Sequence, residues 1–187
     1  GCGNGELARV LAERGFKGSY TGMDFSAGLL DFARSQNPLG ADFFQADLAD
    51  PNWDAALEPC SYTHLFAFAA LHHMPSTELH LKIFKKANCL LQADGLFIIS
   101  NWQFLNSDSL RERIQPWEKA GLTEDDVEAN DYLLDWKRDG YALRYVHHFS
   151  EDEIEELAKL SGFAVEHSYY SDGAGGNLGL YHYLRKV

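Results

Sequence analysis

Two apolar runs, Tyr62–Ala70 and Leu96–Ser100, constrain the fold most. A strand with one wet face alternates apolar and polar residues. A short run that does not alternate reads as a strand covered on both faces, and such strands sit in sheets flanked by helices. The stretches between supply the helices. Gly5–Arg14 puts Leu7, Val10 and Leu11 on one face and is expected to end near Gly15. Ser26 is placed to cap a helix over Ala27–Gln36, which Pro38 stops. Ser76 caps another to about Leu91, with Leu79, Ile83, Phe84, Ala87 and Leu90 on one face. Short β-type runs end at Asp24 and Gln45, Asp50–Trp53 reads as a short helix or turn, and Ala93–Gly95 reads as a turn. This β-α alternation predicts an α/β fold with an open, mostly parallel sheet.

Between residues 101 and 149 the regular pattern lapses into a stretch rich in Trp, Tyr and charge. Ser107–Ala120 is expected to be helical with a break at Pro116. Tyr132–Asp139 and Tyr141–Phe149, joined at Gly140, are expected to form a hairpin. The segment reads as an insertion capping the ligand edge of a single domain spanning 1–187. Beyond it, Ser150-Glu151-Asp152-Glu153 opens a helix as a capping box and Gly162 ends it. Phe163–Tyr170 and Leu178–Leu184 then form an antiparallel pair.

With 16 basic and 28 acidic residues the net charge is −12. Such a surface repels nucleic acid and anionic membrane, and no run reaches the length of a membrane span. Three cysteines without a C-x-x-C spacing point to a reducing, cytoplasmic setting rather than a disulfide scaffold.

The polar residues that follow predicted strands carry the chemistry, because ligands of open α/β sheets bind at the carboxyl ends of the strands. Gly1-Cys2-Gly3-Asn4-Gly5 is a glycine turn feeding a helix. Its missing Cβ atoms admit a ligand close to the backbone, and the helix start presents unpaired N–H groups. Asp24, about twenty residues on, is placed to accept two ribose hydroxyls. Asp47 is placed to accept from the exocyclic amine of a base, with Phe25 or Leu48 over the ring.

These motifs, with Gly22-Met23-Asp24-Phe25-Ser26, Ala46-Asp47-Leu48, Ala70-Leu71-His72-His73-Met74-Pro75 and Leu90–Phe97, fall in an order that resembles class I S-adenosylmethionine-dependent methyltransferases over nearly the whole chain. The resemblance implies a Rossmann-like seven-stranded sheet, mostly parallel with an antiparallel last strand. It implies S-adenosylmethionine as cofactor, held by Gly1, Cys2, Gly3, Asn4, Gly5, Asp24, Phe25, Ser26, Asp47 and Leu48. The segment matching Ala67–Leu71, including Phe68, Ala69 and Leu71, would line the sulfonium pocket. The first strand of such a sheet is expected upstream of Gly1, as is the acidic residue that usually precedes the first glycine. Where the family has Phe-Asp or Tyr-Asp opening the fourth strand, this chain has Tyr62-Thr63.

Methyl transfer to an O or N nucleophile of a small molecule or modified nucleoside asks mainly for alignment and a dry pocket. The acceptor side is expected in Arg144-Tyr145-Val146-His147-His148-Phe149 and the His72-His73 loop. Strand alternation puts Arg144, Val146 and His148 on one face, and Tyr145 and His147 on the other. Arg144 suits a substrate carboxylate or phosphate. His73 or His147 is a candidate general base, and Tyr145 joins the catalytic set. Trp102, Trp117 and Trp136 are expected as lid packing. The Arg144–Phe149 pattern also looks like a segment of the tRNA wobble-uridine carboxymethyl methyltransferases, although the charge offers no tRNA-binding face. No metal is expected, since adjacent histidines on a strand diverge and no Cys or acidic cluster completes a set. The rival readings are a non-catalytic cofactor-binding subunit and a nicotinamide oxidoreductase. A missing Tyr-x-x-x-Lys pair and the GxGxG spacing disfavour the latter.

Overall fold

The computed structural model describes residues 1–136 and 140–187. They divide into two compact units, 1–57 and 58–187. The first holds α1 (Glu6–Glu13), β1 (Thr21–Asp24), α2 (Ala27–Ser35) and β2 (Asp42–Gln45), with β1 and β2 parallel. Its architecture follows the sequence closely. Ser26 caps α2, accepting from the Leu29 N–H, and Gly15 turns the chain out of α1 in the left-handed region. Gly5 is the N-cap of α1 at φ 81°. A Cβ there would stand 3.0 Å from the Cβ of Ala33 on α2. The glycine therefore serves both the turn and the packing of α2 beneath it.

The second unit carries β3 (Tyr62–Phe68), α3 (Thr77–Leu90), β4 (Leu91–Trp102), α4 (Asp108–Arg111), β5 (Ile114–Gln115), β6 (Asp131–Trp136), β7 (Ala142–His147), α5 (Glu151–Leu160), β8 (Phe163–Ser171) and β9 (Gly179–Lys186). One sheet runs β3-β4-β9-β8. β3 and β4 are parallel, and β9 is antiparallel to both its neighbours. The helices α3 and α5 pack together against it. Phe84 of α3 meets Phe97 and Phe163 edge to face, with centroids 5.5 and 6.5 Å away. The register puts Phe97, Ile99 and Asn101 on one face with Leu184, His182 and Leu180. A second sheet, β5-β6-β7, is antiparallel throughout. Phe104, Leu134 and Val146 form its own small core, flanked by Trp102 and Tyr132.

The described strands pair into sheets of two, four and three strands. Several expectations about single elements are corrected. Tyr62–Ala70 is not covered on both faces: β3 is the edge of its sheet, and Phe66 and Phe68 are exposed. Ser107–Ala120 is not one helix. Ile114 and Gln115 pair with Leu134 and Leu133, so the helix stops at Arg111 and only a 3₁₀ turn returns at Trp117–Ala120. Ala93–Gly95 is no turn between elements. It lies within β4, where Asp94 takes φ 59° and the register with β3 jumps from Leu91 to Leu96. The expected hairpin forms from β6 and β7, with Lys137–Asp139 outside the described residues. Cys2, Cys60 and Cys89 are free thiols. Among the described residues no helix is long and apolar enough to cross a membrane.

Replacing Gly5 by Ala should destabilise the chain by about 1–3 kcal/mol, because the methyl group is forced into a left-handed backbone against Ala33. Urea unfolding of wild type and variant reads this directly. An unchanged midpoint would mean that the turn is not held in this conformation.

Candidate functional site

In the first unit the glycine turn and the end of β1 are tied by one carboxylate. The Gly3 N–H donates to Asp24 Oδ2 at 2.8 Å, and the Ser26 N–H donates to Asp24 Oδ1 at 3.0 Å. The Cys2 N–H donates to the Met23 carbonyl at 2.8 Å. Asp24 is buried, yet each of its oxygens keeps a second lone pair for a ligand. Gly1, Asn4, Phe25 and Asp47 are exposed around this turn and the end of β2, and Cys2, Gly3, Ser26 and Leu48 are half-buried; Gly5 is buried. Phe25, 70% exposed, leaves its ring face open. Asp47 Oδ1 accepts from the Ala49 N–H.

In the second unit a cavity of about 370 Å³ opens at the carboxyl ends of β3 and β4. Ala69, His72, His73, Ser100, Asn101 and Trp102 line it from these strands and the turn after β3. Trp136 and Arg144 come from the β6-β7 ribbon, and Asp172, Leu178 and Gly179 from the β8-β9 turn. The Arg144 guanidinium lies over the Trp136 ring, 3.8 Å from its centroid. Among the described residues no carboxylate pairs with it. Burial and the nearby Arg113 both press its pKa downward. Ala69 occupies φ 51°, a costly conformation for a residue with a Cβ. Its N–H is held by the Ser100 carbonyl and hydroxyl. Asn101 is buried; its amide makes no close hydrogen bond among the described residues, and its nearest polar influence is on the His72 imidazole.

The two adjacent histidines differ chemically. His72 Nδ1 accepts from the Trp102 N–H at 3.2 Å, so Nε2 carries its proton. Burial first, then His73 and Arg144, bring its pKa down to about 3. His73 Nδ1 faces the Tyr145 carbonyl at 3.0 Å and therefore donates to it, which leaves Nε2 with a free lone pair. Burial also lowers its pKa. Near neutrality His72 is a hydrogen-bond donor and His73 an acceptor.

Of the residues expected on the acceptor side, the structure brings His73 and Arg144 to the cavity. It does not bring Tyr145 or His147. The pleat sends these two to the opposite face of β7, as the alternation requires. There the Tyr145 hydroxyl donates to Asp131 Oδ1 at 2.5 Å, and His147 bridges Asp131 (2.7 Å) and Glu153 (2.8 Å). Burial opposes a charge on His147, but the hydrogen bonds to Glu153 and Asp131 outweigh it and raise its pKa. Burial and Asp131 push the Tyr145 pKa up. Leu71 is fully buried, so its side chain offers nothing to a ligand, while Phe68 is exposed. Trp102 and Trp136 form cavity wall, whereas Trp117 is buried. The sequence places Asn101 at the ligand edge only as a polar residue after a predicted strand, reads Glu153 only as part of a helix cap, and singles out neither His80 nor Asp131. Asn101 carried a signal, as the polar residue ending a buried strand. The other three carried none, because they meet only through the fold.

Both units thus have the elements of an α/β domain that presents polar groups at the carboxyl ends of parallel strands. Residues 1–168 match the family model described as a methyltransferase domain, and the chain belongs to that family. A trans-aconitate 2-methyltransferase of Rhizobium rhizogenes is 34% identical over 99 residues, 53% of this chain. The match spans 35% of that curated relative's length. A solved S-adenosylmethionine-dependent methyltransferase of Methanosarcina mazei is 20% identical. It matches all of this chain and 90% of its own with a TM-score of 0.77. A 1,6-didemethyltoxoflavin-N1-methyltransferase of Burkholderia thailandensis, solved with its acceptor and S-adenosylhomocysteine, is 18% identical with a TM-score of 0.65. It covers all of this chain and 68% of its own. These structures share the fold.

His72 makes stability depend on pH. Its folded pKa lies below the ordinary histidine value of about 6.5. Its neutral form therefore supports the fold above pH 6.5, and that support is lost as pH falls toward about 3. An asparagine at this position keeps an acceptor for the Trp102 N–H but does not titrate. In urea unfolding at several pH values, His72→Asn should lose stability more gently than wild type between pH 6.5 and 4, by up to about 1.4 kcal/mol per pH unit. Parallel slopes would show that His72 is not buried neutral.

Proposed function

We propose that the chain is an S-adenosylmethionine-dependent methyltransferase whose acceptor is a small molecule or modified nucleoside carrying an anionic group. The observation that carries this reading is Arg144, stacked on Trp136 at the wall of a polar cavity without a carboxylate partner among the described residues. A guanidinium left this way is a ready fork for a carboxylate or phosphate. The glycine turn with Asp24, and Asp47 beyond β2, would hold the cofactor's nucleoside. We carry with this reading the seven-stranded sheet expected of the family and the role of residues 101–149 as a cap over the acceptor.

The cofactor supplies an activated methyl group on a sulfonium. The chain's own residues bind and orient the acceptor, keep water away and receive a proton where the acceptor brings one. His73 Nε2 is the group able to take it, because its Nδ1 proton is fixed on the Tyr145 carbonyl. His72, as a fixed donor, and the Asn101 amide orient polar atoms of the acceptor.

Asp24→Ala should abolish measurable binding of S-adenosylhomocysteine in calorimetry, with circular dichroism as the control for folding. Wild-type affinity in the variant would remove Asp24 from the cofactor site. Arg144→Ala should raise KM for an anionic acceptor about 10- to 100-fold, the worth of a charge-assisted hydrogen bond, while S-adenosylhomocysteine binds as before. Trans-aconitate, a tricarboxylate, is the first acceptor to assay. A loss of cofactor affinity in Arg144→Ala, with KM unchanged, would make Arg144 structural.

A further inference from the structure

The far face of the β6-β7 ribbon gathers groups that the acceptor cavity does not use. One ring nitrogen each of His80 and His147 and a carboxylate oxygen of Glu153 lie within 4.8 Å of one another. They come from α3, the end of β7 and the first turn of α5. The outer nitrogen of each histidine is already fixed. His80 Nε2 donates to the Met74 carbonyl at 2.8 Å, and His147 Nδ1 donates to Asp131 Oδ1 at 2.7 Å. His80 Nδ1 is buried and makes no close hydrogen bond among the described residues, the Leu71 carbonyl being the other backbone group that acts on the ring. Asp131 is itself held by the Glu128 N–H and the Tyr145 hydroxyl.

We propose that His80 Nδ1, His147 Nε2 and Glu153 bind a divalent transition-metal cation of the zinc class, with water as the fourth ligand. Two imidazoles and a carboxylate are a donor set suited to Zn²⁺. Ligating histidines are normally oriented by an acceptor on the opposite nitrogen, and here a carbonyl and a carboxylate do this. Nδ1 of His80, without a close hydrogen-bond partner among the described residues, gains one in the cation. Donor atoms around tetrahedral zinc stand about 3.4 Å apart. The groups need only small rotations to reach that spacing, and the Glu153 side chain, 19% exposed, is free to make one and gives the cation its path from solvent. Binding displaces the His147 Nε2 proton that otherwise bonds Glu153, so a proton leaves with each cation bound. The cation would pin α3 and α5 to β7, the strand that carries Arg144.

Zn²⁺ titrated into the chelator-treated chain, without cofactor or acceptor, tests the site independently of the methyltransferase reading. Calorimetry in two buffers of different ionisation enthalpy should show one Zn²⁺ bound per chain with release of about one proton, and Tm should rise. His80→Gln should abolish stoichiometric binding. Asp131→Asn, which touches the site only through His147, should weaken it about 10- to 100-fold. His64→Gln and Cys60→Ser, both at exposed positions away from the cluster, should leave it unchanged. Circular dichroism checks that His80→Gln folds; if it does not, Asp131→Asn and the proton count decide. No saturable binding by wild type, binding that survives in folded His80→Gln, or wild-type affinity in Asp131→Asn would overturn the proposal and leave His147 a plain buried imidazolium between two carboxylates.

Discussion

The two-residue period of β7 governs the second unit more than any single contact. Five consecutive residues, Arg144 to His148, carry a guanidinium, a phenol and two imidazoles, and the pleat separates them. Arg144 goes to the cavity with Trp136, and Val146 beside it closes the small core with Phe104 and Leu134. Tyr145 and His147 go to Asp131 on the other side. A shift of β7 by one residue would exchange these sets, burying the guanidinium on the Asp131 side and turning the Tyr145 phenol and the His147 imidazole into the cavity. Three anchors oppose that slip. Asp131 pairs directly with His147 in the β6-β7 ladder, Asn130 accepts the His148 N–H, and the Tyr145 carbonyl is bound by His73. The last anchor couples the ribbon to the turn after β3, so His73 and the guanidinium of the cavity are positioned by one strand.

The first unit solves a similar problem with less material. One carboxylate gathers the Gly3 and Ser26 amides and thereby fixes both the glycine turn and the start of α2. Backbone donors converging on a buried acid keep it oriented before any ligand arrives. Preorganisation of this kind lowers the ordering cost of binding.

Much of this was legible in the sequence because it rests on local rules. The caps at Ser26, Ser76 and Ser150, the stop at Gly15 and the final hairpin follow from residue type and spacing. Arg144 could be singled out by its chemistry, and alternation set it apart from Tyr145 and His147 without saying which face meets the cavity. What was not legible depended on partners distant in sequence. Ile114 and Gln115 lie in a helical pattern, but pairing with β6 overrides it. Ser150 and Glu153 read as a reciprocal capping box. The serine half forms, while the Glu153 carboxylate turns away to His147. A cap worth about 1 kcal/mol yields to a charge-assisted bond of greater worth to a buried imidazolium. The same turn of the side chain brings Glu153 beside His80, a residue whose pattern spoke only for a buried helix face.

The cavity shows how adjacent histidines acquire different chemistry without any charged group assigned to them. His72 and His73 both lose basicity to burial, so the difference lies in the partner of Nδ1: an N–H for His72 and a carbonyl for His73. The first partner makes Nε2 a donor and the second makes it an acceptor. Neither histidine needs to be charged, which matters beside Arg144, because a second positive charge would compete with the guanidinium for the same anion. A neutral donor, a neutral acceptor and one permanent cation can hold an anionic acceptor while its nucleophilic atom sheds a proton. Lowering the His73 pKa limits its strength as a base, so on the proposed reading the arrangement would favour acceptors that are already ionised or only weakly protonated near neutrality. A carboxylate or an acidic N–H meets that condition, and an aliphatic alcohol or ammonium group does not.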